Sequence, residues 1–165
     1  MANEEPDFPK DKVLAKINEA FTEAAVPHNA ALGLRAVDCG PGWATLELPY
    51  DDKLVGNPET GVLHGGAVTS LIDATSGMSV FMALMKPTRI ATLDLRIDYL
   101  RPATPGQGVL ARAECYKVTR QVAFVRGVAH HAEDPDDPIA SAAGTFMIFR
   151  EGTSAVGQRI QERGG

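Results

Sequence analysis

Apolar residues along this chain change their spacing from segment to segment, and the spacing predicts the elements. Between Lys10 and Ala25, Val13, Leu14, Ile17, Ala20, Phe21 and Ala24 recur at helical intervals. They predict a helix with one apolar face, which Pro27 brings to an end. From Trp43 to Tyr50, Ala44, Leu46 and Leu48 share one side, the period of a strand. Asp51 to Leu63 carries Gly56, Asn57, Pro58 and Gly61 and reads as a loop. Gly66 to Met85 predicts one long helix. Ala91 to Tyr99 alternates, with Leu93, Leu95, Ile97 and Tyr99 on one face against Thr92, Asp94, Arg96 and Asp98. Three more strands are expected at Val109 to Val118, Val122 to His130 and Ala140 to Phe149. Pro102 to Gly108, a tight Thr119-Arg120 turn and the run Asp134-Pro135-Asp136-Asp137-Pro138 separate them.

Consecutive strands with short breaks imply an antiparallel sheet. A lone apolar helix must be covered by that sheet, which makes the class α+β. The 165 residues suit one domain over 10–150, with a loose arm at 1–9 and a flexible tail at 151–165. The apolar stretch from Gly65 to Met85 is long enough to raise a membrane span. Its central Asp73 and its Ser, Thr and Gly content favour a buried core helix instead.

Composition narrows the partners. Hydrophobic residues make up 44% and charged residues 22%, as in a soluble globular protein. A net charge of -5 argues against nucleic acid, because phosphate binding needs a basic surface. A polyanionic small molecule would need a local basic cluster. Cys39 and Cys115 form no CxxC pair and lack metal-ligand spacing, so they read as free buried thiols in a reducing compartment. His28, His64, His130 and His131 show no ligand pattern either, and no metal or cofactor is expected. The acidic N-terminus has no apolar signal core, which leaves a cytoplasmic location as the expectation.

The chemistry gathers on the long helix. Asp73 is the only charged residue between His64 and Lys86. A lone carboxylate there is costly unless something pairs with it or uses it. It is either a hydrogen-bonded helix contact or a base or nucleophile held in a narrow slot. At about 100° per residue, Gly66, Thr69, Ser70, Ser76, Gly77 and Val80 fall on the Asp73 side. Val68, Leu71, Met78 and Met82 fall opposite and are expected to meet the sheet. His64-Gly65-Gly66 lies where loop becomes helix, where the first N–H groups lack intrahelical partners. A carbonyl oxygen gaining negative charge could be stabilised there. His64 itself reads better as an orienter of that turn than as a general base.

Gly61-Val62-Leu63-His64-Gly65-Gly66-Ala67 followed by Leu71-Ile72-Asp73 resembles the phenylacetate-pathway (PaaI-like) hotdog acyl-CoA thioesterases. Asp98-Tyr99-Leu100-Arg101-Pro102-Ala103 and Ala143-Gly144-Thr145-Phe146 extend the similarity to most of the chain. The resemblance implies a hotdog fold, a curved antiparallel sheet wrapped around one long central helix. It implies hydrolysis of an acyl-CoA thioester, with the Gly66 N–H polarising the carbonyl beside Gly65 and Asp73 as the catalytic carboxylate. Asn57 resembles a loop Asn that places the water or the carboxylate, and Thr92 falls where the family often has a supporting hydroxyl. Arg120, then Arg101 and Arg112, are the candidates to hold the coenzyme's phosphates. Two departures stand out: Asn57 is followed by Pro58, and Thr119-Arg120 replaces a frequent glycine and basic residue.

Gly66 and Asp73 are seven positions apart, roughly 10 Å along a helix at 1.5 Å per residue. No single carbonyl carbon lies within reach of both. A two-fold homodimer is therefore expected to build each site across its interface, and the resemblance implies dimers or dimers of dimers with sites there. Two rival readings remain: a hotdog hydroxyacyl-thioester dehydratase, and a non-enzymatic acyl-CoA-binding module. Met78, Phe81 and Met82 are read as core packing before any acyl pocket.

Overall fold

The computed structural model describes residues 8–22, 24–86 and 88–150. The expected tail at 151–165 and all of the expected arm except Phe8 and Pro9 lie outside them. Three helices, α1 (Lys10–Ala20), α2 (Pro27–Leu32) and α3 (Gly65–Leu84), are joined by eight strands. These are β1 (Arg35–Gly40), β2 (Trp43–Leu48), β3 (Val55–Asn57), β4 (Val62–Leu63), β5 (Arg89–Tyr99), β6 (Val109–Val118), β7 (Val122–His130) and β8 (Ala140–Phe149). β1-β2-β6-β7-β8-β5 form one antiparallel sheet in that order, and β3 and β4 form a small hairpin.

One rung of the sheet explains how α3 seats against it. Ala36, Leu46, Ala111, Ala129, Ala140 and Tyr99 lie in register across all six strands. The four alanines among them are buried and short, so the helix approaches the sheet closely at its middle. Larger residues close the core around that rung: Leu48, Val109 and Ile139 from the sheet and its entry to β8, Leu71 and Ile72 from the helix, all at 2% exposure or less. α3 is long and apolar enough to span a membrane by composition alone. Here its Ala67, Val68, Leu71, Ile72, Thr75 and Val80 are buried under the sheet, as the core-helix reading expected.

Several local expectations change. The first helix stops at Ala20, five residues early, and Pro27 opens a second helix at its first turn, where a missing N–H costs nothing. β1 was not foreseen; a bulge between Ala36 and Asp38 breaks its alternation. β2 ends at Leu48 because Pro49 follows with no N–H for the ladder. The presumed loop from Asp51 to Leu63 contains a 3-10 turn at Asp52–Leu54 and the β3-β4 hairpin.

A second bulge, between Thr92 and Asp94, changes the face pattern of β5. Leu93 is left 53% exposed instead of joining Leu95 and Ile97 against the helix. Thr92 turns to α3 in its place, paired across the sheet with Phe146. On α3, Ser76 and Val80 are corrected to the buried side, at 1% and 0% exposure. Val80 packs with Ala123, Val125, Phe146 and Ile148, because β7 and β8 curve around the C-terminal half of the helix. Toward its head α3 keeps an open face, with Gly66 and Thr69 exposed and Ser70 and Asp73 half-buried. Cys39 is buried and Cys115 half-buried; both are free, and burial pushes both thiols up.

Candidate active site

The β3-β4 hairpin delivers the chain to the head of α3. The His64 N–H donates to the Leu54 carbonyl at 2.8 Å. A Cβ on Gly56 would lie 3.0 Å from the His64 Cα, so the hairpin passes this closely only because Gly56 has no side chain. His64 is the N-cap, with extended backbone, and its Nδ1 accepts the Gly66 N–H at 2.9 Å. The neutral imidazole therefore carries its proton on Nε2. The Ala67 N–H donates to the His64 carbonyl at 3.0 Å.

These bonds correct one expectation. The Gly66 N–H is not open to a substrate carbonyl, since the His64 ring occupies it. A Cβ on Gly66 would lie 2.9 Å from that Nδ1, so the glycine makes room for the capping ring. The Gly65 N–H, first in the helix, has no acceptor among the described residues. It is the available donor at the positive end of the helix.

Asp73 lies half-buried on the open face of α3, and its Oδ1 accepts the Thr92 hydroxyl at 2.9 Å. The structure thus brings together Asp73 and Thr92, from two elements nineteen positions apart. It does not bring Asn57 to them. The Asn57 Oδ1 accepts the Glu59 N–H at 3.0 Å and its carbonyl accepts the Gly61 N–H at 2.9 Å, so its oxygens shape the hairpin turn.

Of the three arginines, Arg120 and Arg112 are exposed and Arg101 is half-buried, and Arg120 stands at the tip of the β6-β7 turn. Arg101 is corrected to a structural role. Its guanidinium meets the Asp137 carboxylate at 2.6 Å and donates to the Asp137 carbonyl at 2.7 Å, clamping the turn before β8. Arg112 lies 3.8 Å over the Trp43 ring on the sheet face turned away from α3, apart from Gly65 and Asp73 of its own chain.

A groove of about 440 Å³ opens beside the helix head, lined in part by His28, Lys53, Leu54, His64, Gly66 and Ser70. The Lys53 ammonium reaches the Asp51 carboxylate at 2.9 Å, and the Lys53 N–H and ammonium hold that carboxyl below its usual range. Three polar residues here were not among the expected site residues. Ser70 Oγ donates to the Gly66 carbonyl at 3.0 Å, and His28 Nε2 meets Ser70 Oγ at 3.1 Å. The Tyr99 hydroxyl donates to the Gly65 carbonyl at 2.6 Å. The helix-spacing pattern put Ser70 on the right face, but nothing local in the sequence points Tyr99 at Gly65.

The chain matches the family model of the thioesterase superfamily over residues 60–136, which include the helix head, Asp73 and Thr92. It is 30% identical over 151 residues to the medium/long-chain acyl-CoA thioesterase YigI of Salmonella typhimurium, covering 84% of this chain and 95% of that one. A Pseudomonas aeruginosa protein of known crystal structure superposes with a TM-score of 0.72 at 44% identity, over 82% of this chain and 98% of the other. A mutant of the phenylacetic acid degradation protein PaaI from Thermus thermophilus gives 0.64 at 26% identity, over 74% and 99%. With its six-stranded sheet wrapped on one helix, the chain belongs to the thioesterase superfamily, as a PaaI-like hotdog thioesterase.

Proposed function

We propose that the protein hydrolyses acyl-CoA thioesters to the free acid and coenzyme A, at sites shared between two copies of the chain. The observation that carries this reading is the separation of two prepared groups on one helix. The open Gly65 N–H stands at the head of α3, and the Asp73–Thr92 pair lies eight positions on, about 12 Å away at 1.5 Å per residue. One carbonyl cannot use both within a single chain. In a two-fold dimer with antiparallel α3 helices, Gly65 of one copy meets Asp73 of the other, giving two equivalent sites. The surface around Asp73 suits such an approach: Gly66, Thr69 and Ser70 are small, and β5 is an edge strand, paired with β8 on one side and with no strand on the other among the described residues.

In this site the thioester oxygen accepts the Gly65 N–H, which meets the charge that develops as the carbonyl carbon is attacked. Thr92 holds Oδ1 of Asp73 and leaves Oδ2 toward the reacting carbon. That oxygen either takes a proton from the attacking water or attacks the carbonyl itself, giving an anhydride that water then opens. On either route the C–S bond breaks and the coenzyme leaves as its thiolate, which gains a proton. Among the described residues His64 meets no carboxylate, and its Nδ1 is held by the helix cap, which tells against the dehydratase reading, since that needs a histidine paired with an acid for proton transfer.

A panel of acyl-CoAs assayed for free thiol tests the reading. Thiol release with equimolar free acid is expected, with medium and long acyl chains the first to examine because YigI is named for them. Binding without turnover across the panel would replace the hydrolase by an acyl-CoA-binding module. Arg120→Ala is expected to raise KM for acyl-CoA several-fold and to leave short phosphate-free thioesters nearly unchanged, as befits a charge that meets only phosphate. Equal effects on both substrate types would remove Arg120 from the site.

A further inference from the structure

We infer that Tyr99 is a positioning residue for the carbonyl-binding turn, acting through the Gly65–Gly66 peptide; the inference rests on the hydrolase reading above. Tyr99 ends β5 on the rung that crosses the whole sheet, opposite Ala140, and its ring reaches over the head of α3. Its hydroxyl is 2.6 Å from the Gly65 carbonyl and 2.9 Å from Thr69 Oγ1. A phenol has one proton, and the Gly65 carbonyl can only accept it. Thr69 is therefore the donor to Tyr99.

The Gly65 carbonyl and the Gly66 N–H belong to one peptide plane, and each end is held by a side chain. Tyr99 donates to the oxygen and His64 Nδ1 accepts from the nitrogen. A relay results, from the Thr69 hydroxyl to the Tyr99 hydroxyl, across the peptide, to the His64 ring. A hydrogen bond to a carbonyl polarises its amide and makes the N–H a stronger donor, so the two ends reinforce each other. Two adjacent glycines at a helix start would otherwise leave this turn loose. The clamp fixes the conformation around the Gly65 Cα, and with it the direction of the Gly65 N–H that meets the substrate oxygen. It also keeps Nδ1 of His64 as acceptor and Nε2 as donor.

Such a group acts on the transition state more than on ground-state binding, because donor alignment matters most when the oxygen is most charged. Tyr99→Phe, which keeps the ring and removes the hydroxyl, is expected to lower kcat about tenfold and leave KM within about twofold. Thr69→Val is expected to lower kcat about threefold, and the double variant to be no worse than Tyr99→Phe, since both act on one relay. In nitrogen-15 NMR, Tyr99→Phe should shift the Gly66 amide and the His64 ring nitrogens, as the relay loses its first donor. A Tyr99→Phe enzyme with wild-type kcat overturns the inference. So does a loss confined to KM or melting temperature with unmoved Gly66 and His64 signals, which marks a merely structural tyrosine. A wild-type protein that releases no thiol from any acyl-CoA overturns the hydrolase reading first, and this role with it.

Discussion

Asp73→Asn is expected to lower kcat for acyl-CoA hydrolysis by about 10³-fold while the melting temperature stays within a few degrees of wild type. The amide is the same size as the carboxylate, and its oxygen can still accept the Thr92 hydroxyl that Oδ1 accepts now at 2.9 Å. Asp73 is only half-buried and makes no ion pair among the described residues, so the fold loses little when the charge goes. The chemistry loses its base or nucleophile, and a factor of 10³ corresponds to about 4 kcal/mol of barrier. Initial rates of thiol release at saturating substrate, beside a thermal melt, make the comparison. A folded variant with near wild-type turnover would remove Asp73 from the mechanism.

Gly65→Pro is expected to lower kcat by about 10²–10³-fold, the usual loss when one oxyanion donor is removed. Proline deletes the proposed donor outright, since it has no N–H. The backbone is prepared for it. Gly65 is the first residue of α3, where proline is favoured, and its N–H gives up no bond within the described residues. His64 already has φ -62 and ψ 134, the extended geometry that a residue before proline adopts. A Cβ at position 65 meets nothing closer than the Tyr99 Oη at 3.5 Å. Stability should therefore be unchanged or slightly raised through the less flexible unfolded chain. Melting and kcat measured on the same preparation separate this outcome from misfolding. Retained kcat in Gly65→Pro would mean that another group binds the carbonyl oxygen.

How far the sequence could be read depended on whether local periodicity survived tertiary contact. β6, β7 and β8 have the bounds expected of them, because the breaks at 102–108, Thr119-Arg120 and 134–138 delimit them, although β6 too carries a bulge, between Cys115 and Lys117. β1 and the first half of β5 were misread for one shared reason: a bulge offsets the two-residue period, and a bulge is set by pairing with another strand. Angular position on α3 placed Asp73 on the open side. It failed for Val80, since a curved sheet can cover more than one face of a helix.

The same limit holds at the site. Asp73 and the glycine pair were visible as a charge and a gap in an apolar run, and Thr92 came only from the family resemblance. Which glycine N–H stays open was not legible, because the answer depends on where the His64 ring folds back. The commitments of Arg101 to Asp137 and of Tyr99 to Gly65 join residues more than thirty positions apart, beyond any local pattern.

The central claim is that Gly65 and Asp73 act together across a subunit interface, and reassortment of two inactive variants tests it most directly. Asp73→Asn and Gly65→Pro are unfolded and refolded together in equal amounts, so that about half of the dimers are mixed. Each mixed dimer then joins the intact Gly65 of one chain to the intact Asp73 of the other in one site, and both lesions fall in the second site. The account predicts that thiol release recovers to roughly a quarter of wild type by this symmetry count. A mixture that stays as inactive as its parents, although mixed dimers demonstrably form, would contradict it.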